Sequence, residues 1–184
     1  MKTKRCVYAI MEAMLILMIA GTAAAGGLSQ QAGPFATCQN TEDMEDGYGV
    51  GLKYLVMFQD VKPKLDYGVD VRASWLTYDS DDNDFRADLD IIPLEVSTLV
   101  RYEILAGTRL YAGVGLGYYV FDSDDVDIDD DIGISAMVGY DKRVVDTLSV
   151  FAEVRHLWLE PDLNTGSDID LGGGGVNIGI TLSW

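Results

Sequence analysis

Hydrophobic and polar positions alternate from residue 47 to residue 184, and turn residues interrupt the alternation at intervals. A period of two is typical of β-strands, and its recurrence over seven segments predicts an all-β fold. No part of this range shows a sustained helical period. The apolar positions fall within residues 48–58, 67–77, 92–102, 110–120, 132–140, 148–158 and 176–184.

The two faces of these predicted strands differ in chemistry. The 40 side chains of one face include no formal charge, and His156 is their only ionisable group apart from tyrosines. The opposite face carries four basic and three acidic residues among many glycines. Its charged members are Lys53, Asp70, Arg72, Glu95, Arg101, Glu153 and Arg155. Because soluble barrels and sandwiches also have one apolar and one polar face, alternation alone leaves open which face is enclosed.

Three features favour a barrel whose charged face is enclosed. Charge on that face is nearly balanced although the chain has a net charge of −17, and balance suits a confined space where each charge needs a partner. Glycines leave room there for long side chains. Aromatic residues of the uncharged face cluster near strand ends, like the interfacial girdles of membrane barrels. We therefore predict an antiparallel up-and-down transmembrane β-barrel with an interior filled by side chains.

The segment YAGVGLGYYV, residues 111–120, has glycine at every second position. A dinucleotide-binding loop needs the spacing Gly-x-Gly-x-x-Gly where a strand leads into a helix. Because the spacing here is strictly two and no helical segment follows, we interpret it as a strand. Val114, Leu116 and Tyr118 would face lipid while the glycines line a crowded interior.

Residues 1–25 are predicted to be a secretory signal peptide, with three basic residues, an apolar run and alanines at 23–25 as the cleavage site. Glu12 interrupts the run, which is shorter than a membrane-spanning helix requires. Removal of the peptide leaves 10 basic against 29 acidic residues, a net charge of −19. Such a charge disfavours binding to nucleic acid. Cys38 is then the one remaining cysteine, so no internal disulfide is expected.

The connections between predicted strands differ at the two ends of the barrel. The short links at one end hold half of the mature chain's basic residues, namely Lys62, Lys64, Arg109, Lys142 and Arg143. The links at the other end are longer and strongly acidic, and residues 42–46 belong to that end. Short inner turns and long outer loops are typical of outer-membrane barrels.

One acidic loop, residues 122–131, offers oxygen ligands suited to calcium or magnesium. The candidate ligands are Asp122, Asp124, Asp125, Asp127 and Asp129. The glycine that an EF-hand requires is absent. Two interpretations stay open: a solvated run of charge, and weak binding of Ca or Mg ions that bridge the loops to lipopolysaccharide phosphates.

Four pieces of sequence together resemble the superfamily of small, eight-stranded outer-membrane β-barrels similar to OmpX and the transmembrane domain of OmpA. They are IIPLEV (91–96), YAGVGLGYYVFD (111–122), FAEVRHLW (151–158) and the last strand, which ends in Trp184. The resemblance covers about residues 47–184 and implies a place in the outer membrane of a Gram-negative cell, in contact with lipid and lipopolysaccharide. It also implies that Trp184 belongs to a signal read by the barrel-assembly machinery, and that Glu153 and Arg155 point into the lumen.

Bacterial single-chain barrels have an even number of strands, whereas only seven segments alternate clearly. Because residues 42–46 belong to the acidic outer end, the chain has to cross the membrane before residue 42. Residues 26–41 are poor strand material, with Pro34 and little alternation, yet we expect them to form a weak eighth strand. The predicted organisation is a signal peptide at 1–25, an acidic segment with this strand at 26–46, and the barrel at 47–184.

Catalysis is not predicted, and no cofactor is expected. The only histidine, His156, falls on the lipid-facing row beside Trp158, and the His-x-Ser pair that resemblance to lipid A deacylase barrels would require is absent. Carboxylates of the charged face are interpreted as members of interior ion pairs, since an unpaired buried charge is strongly destabilising. The expected pairs are Glu153 with Arg155, Glu95 with Arg101 and Asp70 with Arg72.

These features predict a non-enzymatic outer-membrane barrel with a structural or surface-interacting role and acidic extracellular loops. Eight strands leave an interior just wide enough for side chains to fill, so no wide channel is expected. The alternatives are a soluble exported β-barrel that binds a small apolar ligand, a narrow pore, and a surface protein that binds divalent cations.

Overall fold

The computed structural model describes residues 27–41, 46–62, 64–78, 89–123, 130–160 and 170–184. The predicted signal peptide lies outside these residues. No helix long and apolar enough to cross a bilayer occurs in the described part of the chain.

Eight β-strands form one closed sheet. They are β1 (Leu28–Thr41), β2 (Gly47–Lys62), β3 (Leu65–Tyr78), β4 (Leu89–Leu105), β5 (Thr108–Ser123), β6 (Asp131–Val145), β7 (Leu148–Trp158) and β8 (Gly173–Ser183). Each strand pairs antiparallel with the next in the chain, and β8 closes the barrel against β1. This architecture confirms the predicted up-and-down barrel of eight strands.

β1 corresponds to the weak strand that was predicted within residues 26–41. Its pairing with β2 runs from Leu28 opposite Phe58 to Gln39 opposite Gly47. Its pairing with β8 is interrupted around Pro34, which has no backbone N–H to donate. Small residues such as Ala36 occupy its outer face, so the contrast between faces that marks the other strands is weak here.

The barrel has two distinct ends. At one end, which we call the turn end, two residues separate β2 from β3, β4 from β5, and β6 from β7. Gly107 lies in the second of these turns with φ of 73°, a left-handed conformation that glycine adopts without strain. Its carbonyl accepts a hydrogen bond from the backbone N–H of Arg143 at 2.7 Å, which ties this turn to β6. The opposite end, with the longer connections, is called the loop end.

The uncharged row of side chains forms the outer surface of the barrel. Five aliphatic residues of this row expose between 61% and 68% of their surface: Val50, Val114, Val138, Val154 and Ile178. A belt of apolar side chains around the whole barrel is far more apolar surface than a soluble monomer exposes. The strands have 11 to 17 residues, enough for the 9–11 or so that a tilted strand needs to cross a bilayer.

Exposed aromatic residues border this apolar belt at both ends. Tyr48, Trp75, Tyr118 and Trp158 lie toward the loop end. Phe58, Tyr67, Tyr102, Tyr140 and Trp184 lie toward the turn end. Two such rings are the arrangement found at the interfaces of membrane barrels.

Two residues of the outer row are buried, contrary to their predicted exposure. Tyr54 is covered by the terminal Trp184, whose ring centroid lies 6.4 Å from its own. The Tyr54 hydroxyl donates to Gln30 Oε1 at 2.7 Å, and the backbone N–H of Trp184 donates to the backbone carbonyl of Gln30 at 3.2 Å. Ile92 on β4 is the second exception. The sequence pattern assigns a face to each side chain but does not show which neighbours cover it.

Interior glycines leave space for side chains that reach across the barrel. A Cβ built on Gly139 would overlap the ring of Tyr111, whereas one built on Gly174 on the outer face meets nothing within 4 Å. We expect Gly139→Ala to lower the free energy of unfolding by about 1–3 kcal/mol, the usual range for overpacking. Gly174→Ala is the matched control and should stay within about 0.5 kcal/mol. Urea unfolding in detergent micelles measures both, and equal effects would contradict this packing.

Candidate functional site in the charged interior

All seven charged residues of the second face point into the barrel and are buried. Their exposed fractions range from 0% for Asp70 to 8% for Arg155. Each lies on a strand at a position that alternates with outward-facing apolar residues, as with Glu153 between Ala152 and Val154. The enclosed surface of the barrel is therefore the charged one.

Four of these residues form a central cluster that consists of Lys53, Asp70, Arg72 and Glu153. Arg72 pairs with both carboxylates. Lys53 Nζ lies 3.2 Å from Asp70 Oδ2 and 3.4 Å from Glu153 Oε2. The cluster joins three strands, β2, β3 and β7, across the interior.

Neutral side chains complete the cluster around Glu153. The Tyr111 hydroxyl donates to Glu153 Oε2 at 2.8 Å, and Asn177 Nδ2 donates to Oε1 at 2.7 Å. The Lys53 ammonium lies 4.2 Å from the centroid of the Phe151 ring, within the range of a cation–π interaction. Glu153 thus accepts from four different residues on four strands.

A second ion pair, the Glu95–Arg155 pair, lies nearer the loop end. Arg155 approaches the carboxylate of Glu95 with both terminal nitrogens, and Nη1 to Oε2 measures 2.6 Å. Such bidentate pairs fix geometry as well as charge. The Tyr119 hydroxyl also donates to Glu95 Oε1, at 2.6 Å.

Two further pairs lie toward the turn end and include three residues that the sequence analysis did not assign to the interior. Arg101 Nη2 contacts Asp66 Oδ2 at 3.1 Å, and Arg109 pairs with Asp141. Asp66, Arg109 and Asp141 directly flank outward-facing aromatic or apolar residues at the ends of β3, β5 and β6. Extending the alternation to the strand ends would have found them.

The ion pairs differ from two of the three that the sequence suggested. Asp70 does pair with Arg72, but Glu153 pairs with Arg72 and Lys53, and Arg155 pairs with Glu95. The suggested partners Glu95 and Arg101 are six residues apart on β4, about 20 Å along the strand. Glu153 and Arg155 thus pair across the interior, Glu153 with residues of β2 and β3 and Arg155 with a residue of β4, rather than with each other.

The ion pairs among the described residues balance in charge. Five basic residues, Lys53, Arg72, Arg101, Arg109 and Arg155, face five acidic ones, Asp66, Asp70, Glu95, Asp141 and Glu153. Buried charges are tolerated when they are paired and hydrogen-bonded, so this balance lets the charged interior form.

An apolar cluster closes the interior at the loop end. It contains Leu76, Tyr78, Leu89, Ile91, Tyr119, Phe121, Leu157, Leu159 and Leu171. Leu159 and Leu171 lie beyond the ends of β7 and β8, and the N–H of Leu171 donates to the carbonyl of Leu159 at 3.0 Å. The sequence predicted an interior filled by side chains and ion pairs, and this apolar cluster was not predicted. The sequence feature that indicates this cluster is the run of apolar residues on both faces of β3 and β4 near the loop end.

The residues proposed for metal binding fall mostly outside the described part of the chain. Asp124, Asp125, Asp127 and Asp129 lie there, and Asp122 is an exposed residue near the end of β5. Within the described ranges, no group of three His, Cys, Asp or Glu side chains is close enough to hold a metal ion. His156 lies on the outer face, with its ring against Trp158 at a centroid distance of 4.5 Å. Cys38 is a free thiol on β1.

The family model of the outer membrane protein beta-barrel domain matches residues 15–183. The chain belongs to this family, and the fold and the apolar outer belt agree with a place in the outer membrane. The predicted resemblance to small, eight-stranded outer-membrane barrels is thereby confirmed. No curated protein matches the chain.

Solved structures of outer-membrane proteins share this fold at low sequence identity. Neisserial surface protein A is 13% identical, with a TM-score of 0.57 over 86% of this chain and 98% of its own. A major outer membrane protein from Thermus thermophilus is 12% identical, with a TM-score of 0.58 over 85% of this chain and 99% of its own. Ail, the attachment invasion locus protein of Yersinia pestis, is 14% identical, with a TM-score of 0.52 over 87% and 100%.

Proposed function

We propose that this protein is a non-enzymatic outer-membrane barrel with a closed interior, which acts at the cell surface or as a structural part of the membrane. The loop end would face the cell exterior and the turn end the periplasm, as in other outer-membrane barrels. The observation that carries this proposal is the packing of the interior, where five carboxylates, five basic side chains and an apolar cluster fill the barrel.

A closed interior argues against transport as the main role. An eight-stranded barrel is just wide enough for its own side chains, and here they meet across the barrel in direct hydrogen bonds. The apolar cluster adds a dry layer at the loop end that hydrated ions would have to cross. The same packing disfavours the soluble alternative, because little space is left for an apolar ligand.

The arrangement of ionisable groups supports a non-enzymatic role. The five interior carboxylates are all engaged by basic partners, and His156 is on the outer surface against Trp158. A general base needs a nucleophile or water within hydrogen-bonding reach of an accessible site. Neither His156 nor these buried carboxylates provide such a site.

Lipid and lipopolysaccharide are the proposed surroundings of the barrel, held by the apolar belt and the two aromatic rings. Acidic residues at the loop end, such as the exposed Asp122 and Asp130, would repel lipopolysaccharide phosphates unless Ca or Mg ions bridge them. Calorimetric titration of the reconstituted barrel tests this bridging, and no heat of ion binding would exclude it. Ail was solved in complex with a heparin analogue. The acidic loop end of this chain favours a cationic surface partner instead.

Trp184 is proposed as part of the signal that the barrel-assembly machinery reads. It follows β8, whose outward residues Val176, Ile178, Ile180 and Leu182 are apolar and exposed. Its contact with Tyr54 of β2 supports a second role, since it covers the seam where β8 meets β1. Trp184 would serve both as assembly signal and as cover of the seam at the stage when β8 pairs with β1.

Conductance across planar lipid bilayers tests the closed interior. We expect the reconstituted protein to give no stable porin-sized steps, because ions would have to break the central cluster and pass the apolar cluster. A large porin inserted in the same bilayer is the positive control. Stable steps of porin size from the purified protein would overturn the proposal in favour of a pore.

A further inference from the structure

A small cavity lies inside the barrel, in its turn-end half. Its volume is about 10 Å³, which leaves room for one water molecule or small ion. Its polar lining comprises Gln31, Lys53, Arg101, Tyr111, Asp141 and Thr181. Neither the family nor the proposed function assigns a role to this cavity.

Three of the lining residues have buried polar atoms without a hydrogen-bond partner. These atoms are Gln31 Nε2, Arg101 Nε, Arg101 Nη1 and Thr181 Oγ1. The three residues expose between 1% and 2% of their surface, so bulk water does not reach them. A buried donor without a partner costs about 1–3 kcal/mol, and such groups in folded proteins normally meet a partner in the protein, in water or in an ion.

The unpartnered nitrogens, on Gln31 and Arg101, are all donors. The Asp141 carboxylate already pairs with Arg109, and the Tyr111 hydroxyl directs its hydrogen to Glu153. A water molecule in the cavity would need acceptors for its own two hydrogens, whereas an anion needs none. The donor-rich lining therefore favours a ligand that only accepts hydrogen bonds.

Charge around the cavity favours the same ligand. Of the two cations in the lining, Lys53 contacts two carboxylates, Asp70 and Glu153, whereas Arg101 contacts only Asp66. Arg101 touches its counter-ion Asp66 through a single nitrogen, and Asp66 is 24% exposed, so water at the turn end weakens that attraction. Arg101 is thus a buried cation that is only partly neutralised by the protein.

We propose that this cavity binds one small inorganic anion of the halide class. Arg101 would donate through Nε and Nη1, Gln31 through its amide, and Thr181 through its hydroxyl. The anion would stabilise the turn-end half of the barrel by satisfying these donors and the charge of Arg101. Cations and organic ligands are excluded by the lining and by the size of the cavity.

Bromide is the probe for this site, because it is a halide that anomalous X-ray scattering locates directly. Crystals of the full barrel grown in sodium bromide should show one anomalous peak within hydrogen-bonding distance of Arg101 and Gln31. In solution, unfolding in sodium bromide should occur at a higher urea concentration than in sodium gluconate of equal ionic strength, with a dependence on bromide concentration set by mass action.

Two conservative variants test the donors without removing a charge. Gln31→Met should weaken apparent bromide affinity about tenfold, which corresponds to ~1.4 kcal/mol, and Thr181→Val should weaken it in the same direction. Ser97→Ala is the matched control, since Ser97 Oγ is also buried and unpartnered but does not line the cavity. That variant should keep the full response to bromide.

Three results would overturn the proposal. They are equal unfolding in bromide and gluconate, a peak of water density without bromide in the cavity, and an unchanged bromide response in Gln31→Met. None of them depends on whether the barrel conducts ions, so this inference and the proposed function fail separately.

Discussion

Glu153→Leu should lower the free energy of unfolding by about 3–5 kcal/mol, the range for breaking a buried ion pair by removing one partner. Glu153 is 2% exposed and accepts hydrogen bonds from Lys53, Arg72, Tyr111 and Asn177. Leucine has a similar volume but leaves two cations facing one carboxylate, that of Asp70. The cost comes mainly from the uncompensated charge rather than from lost packing.

Urea unfolding followed by tryptophan fluorescence, in detergent micelles, measures this cost. Glu160→Leu is the control, because Glu160 is exposed at the loop end and should change stability by less than about 0.5 kcal/mol. Adding Lys53→Met to Glu153→Leu restores the balance of charge, so the double variant should be more stable than the sum of the single effects predicts. A cost below about 1 kcal/mol for Glu153→Leu would show that the central cluster does not hold the barrel together.

Val114→Arg should lower the free energy of unfolding by about 2–4 kcal/mol, the value for a basic residue at the midplane of the bilayer. Val114 is 61% exposed and lies midway between Leu110 and Tyr118 on the outer face of β5. In water, a change at so exposed a position would be nearly neutral. The expected cost therefore arises from lipid around the barrel and not from contacts within it.

Leu110→Arg is the matched control for depth. Leu110 is on the same face of the same strand, paired with Tyr102 and Tyr140 of the turn-end aromatic ring. At this level an arginine reaches the interface, and the cost should fall to about 0–1 kcal/mol. Equal and small costs at both positions, measured by unfolding in lipid vesicles, would favour the soluble alternative.

The period of two along the chain was enough to predict most of the fold. It assigned an outward or inward direction to residues such as Val114 and Glu153, because side chains alternate across a strand whatever its neighbours are. Strand pairing then follows, since short links between consecutive strands favour antiparallel neighbours. Tyr54 is outward as predicted but buried, because Trp184, far away in the sequence, folds over it.

β1 was the least predictable strand for a physical reason. Its inward residues, such as Gln31 and Thr37, are polar, and its outward ones, such as Ala36, are small. Hydrophobic contrast between the faces is therefore low. The strand is held by hydrogen-bonded pairing with β2 and β8, which closes the barrel. Because this pairing involves three strands, it cannot be predicted from the sequence of one segment.

The ion-pair partners of the charged side chains inside the barrel could not be predicted from the sequence. Which carboxylate Arg155 meets depends on the shear of the barrel, which brings β4 and β7 face to face. The apolar cluster at the loop end depends likewise on chain segments beyond the strands, where Leu159 and Leu171 fold inward. Composition shows that the interior is charged and crowded, but contact across the barrel is a three-dimensional property.

In this barrel the uncharged row of each strand has to touch hydrocarbon while the charged row is enclosed. A nitroxide label on Val114→Cys, in a Cys38→Ser chain that starts at residue 26 and is reconstituted in lipid vesicles, tests it most directly. Collision with oxygen, which concentrates in hydrocarbon, should far exceed collision with a water-soluble nickel complex at this site, and the order should reverse for a label on Glu160→Cys. Greater access of the nickel complex than of oxygen at Val114→Cys would contradict the account.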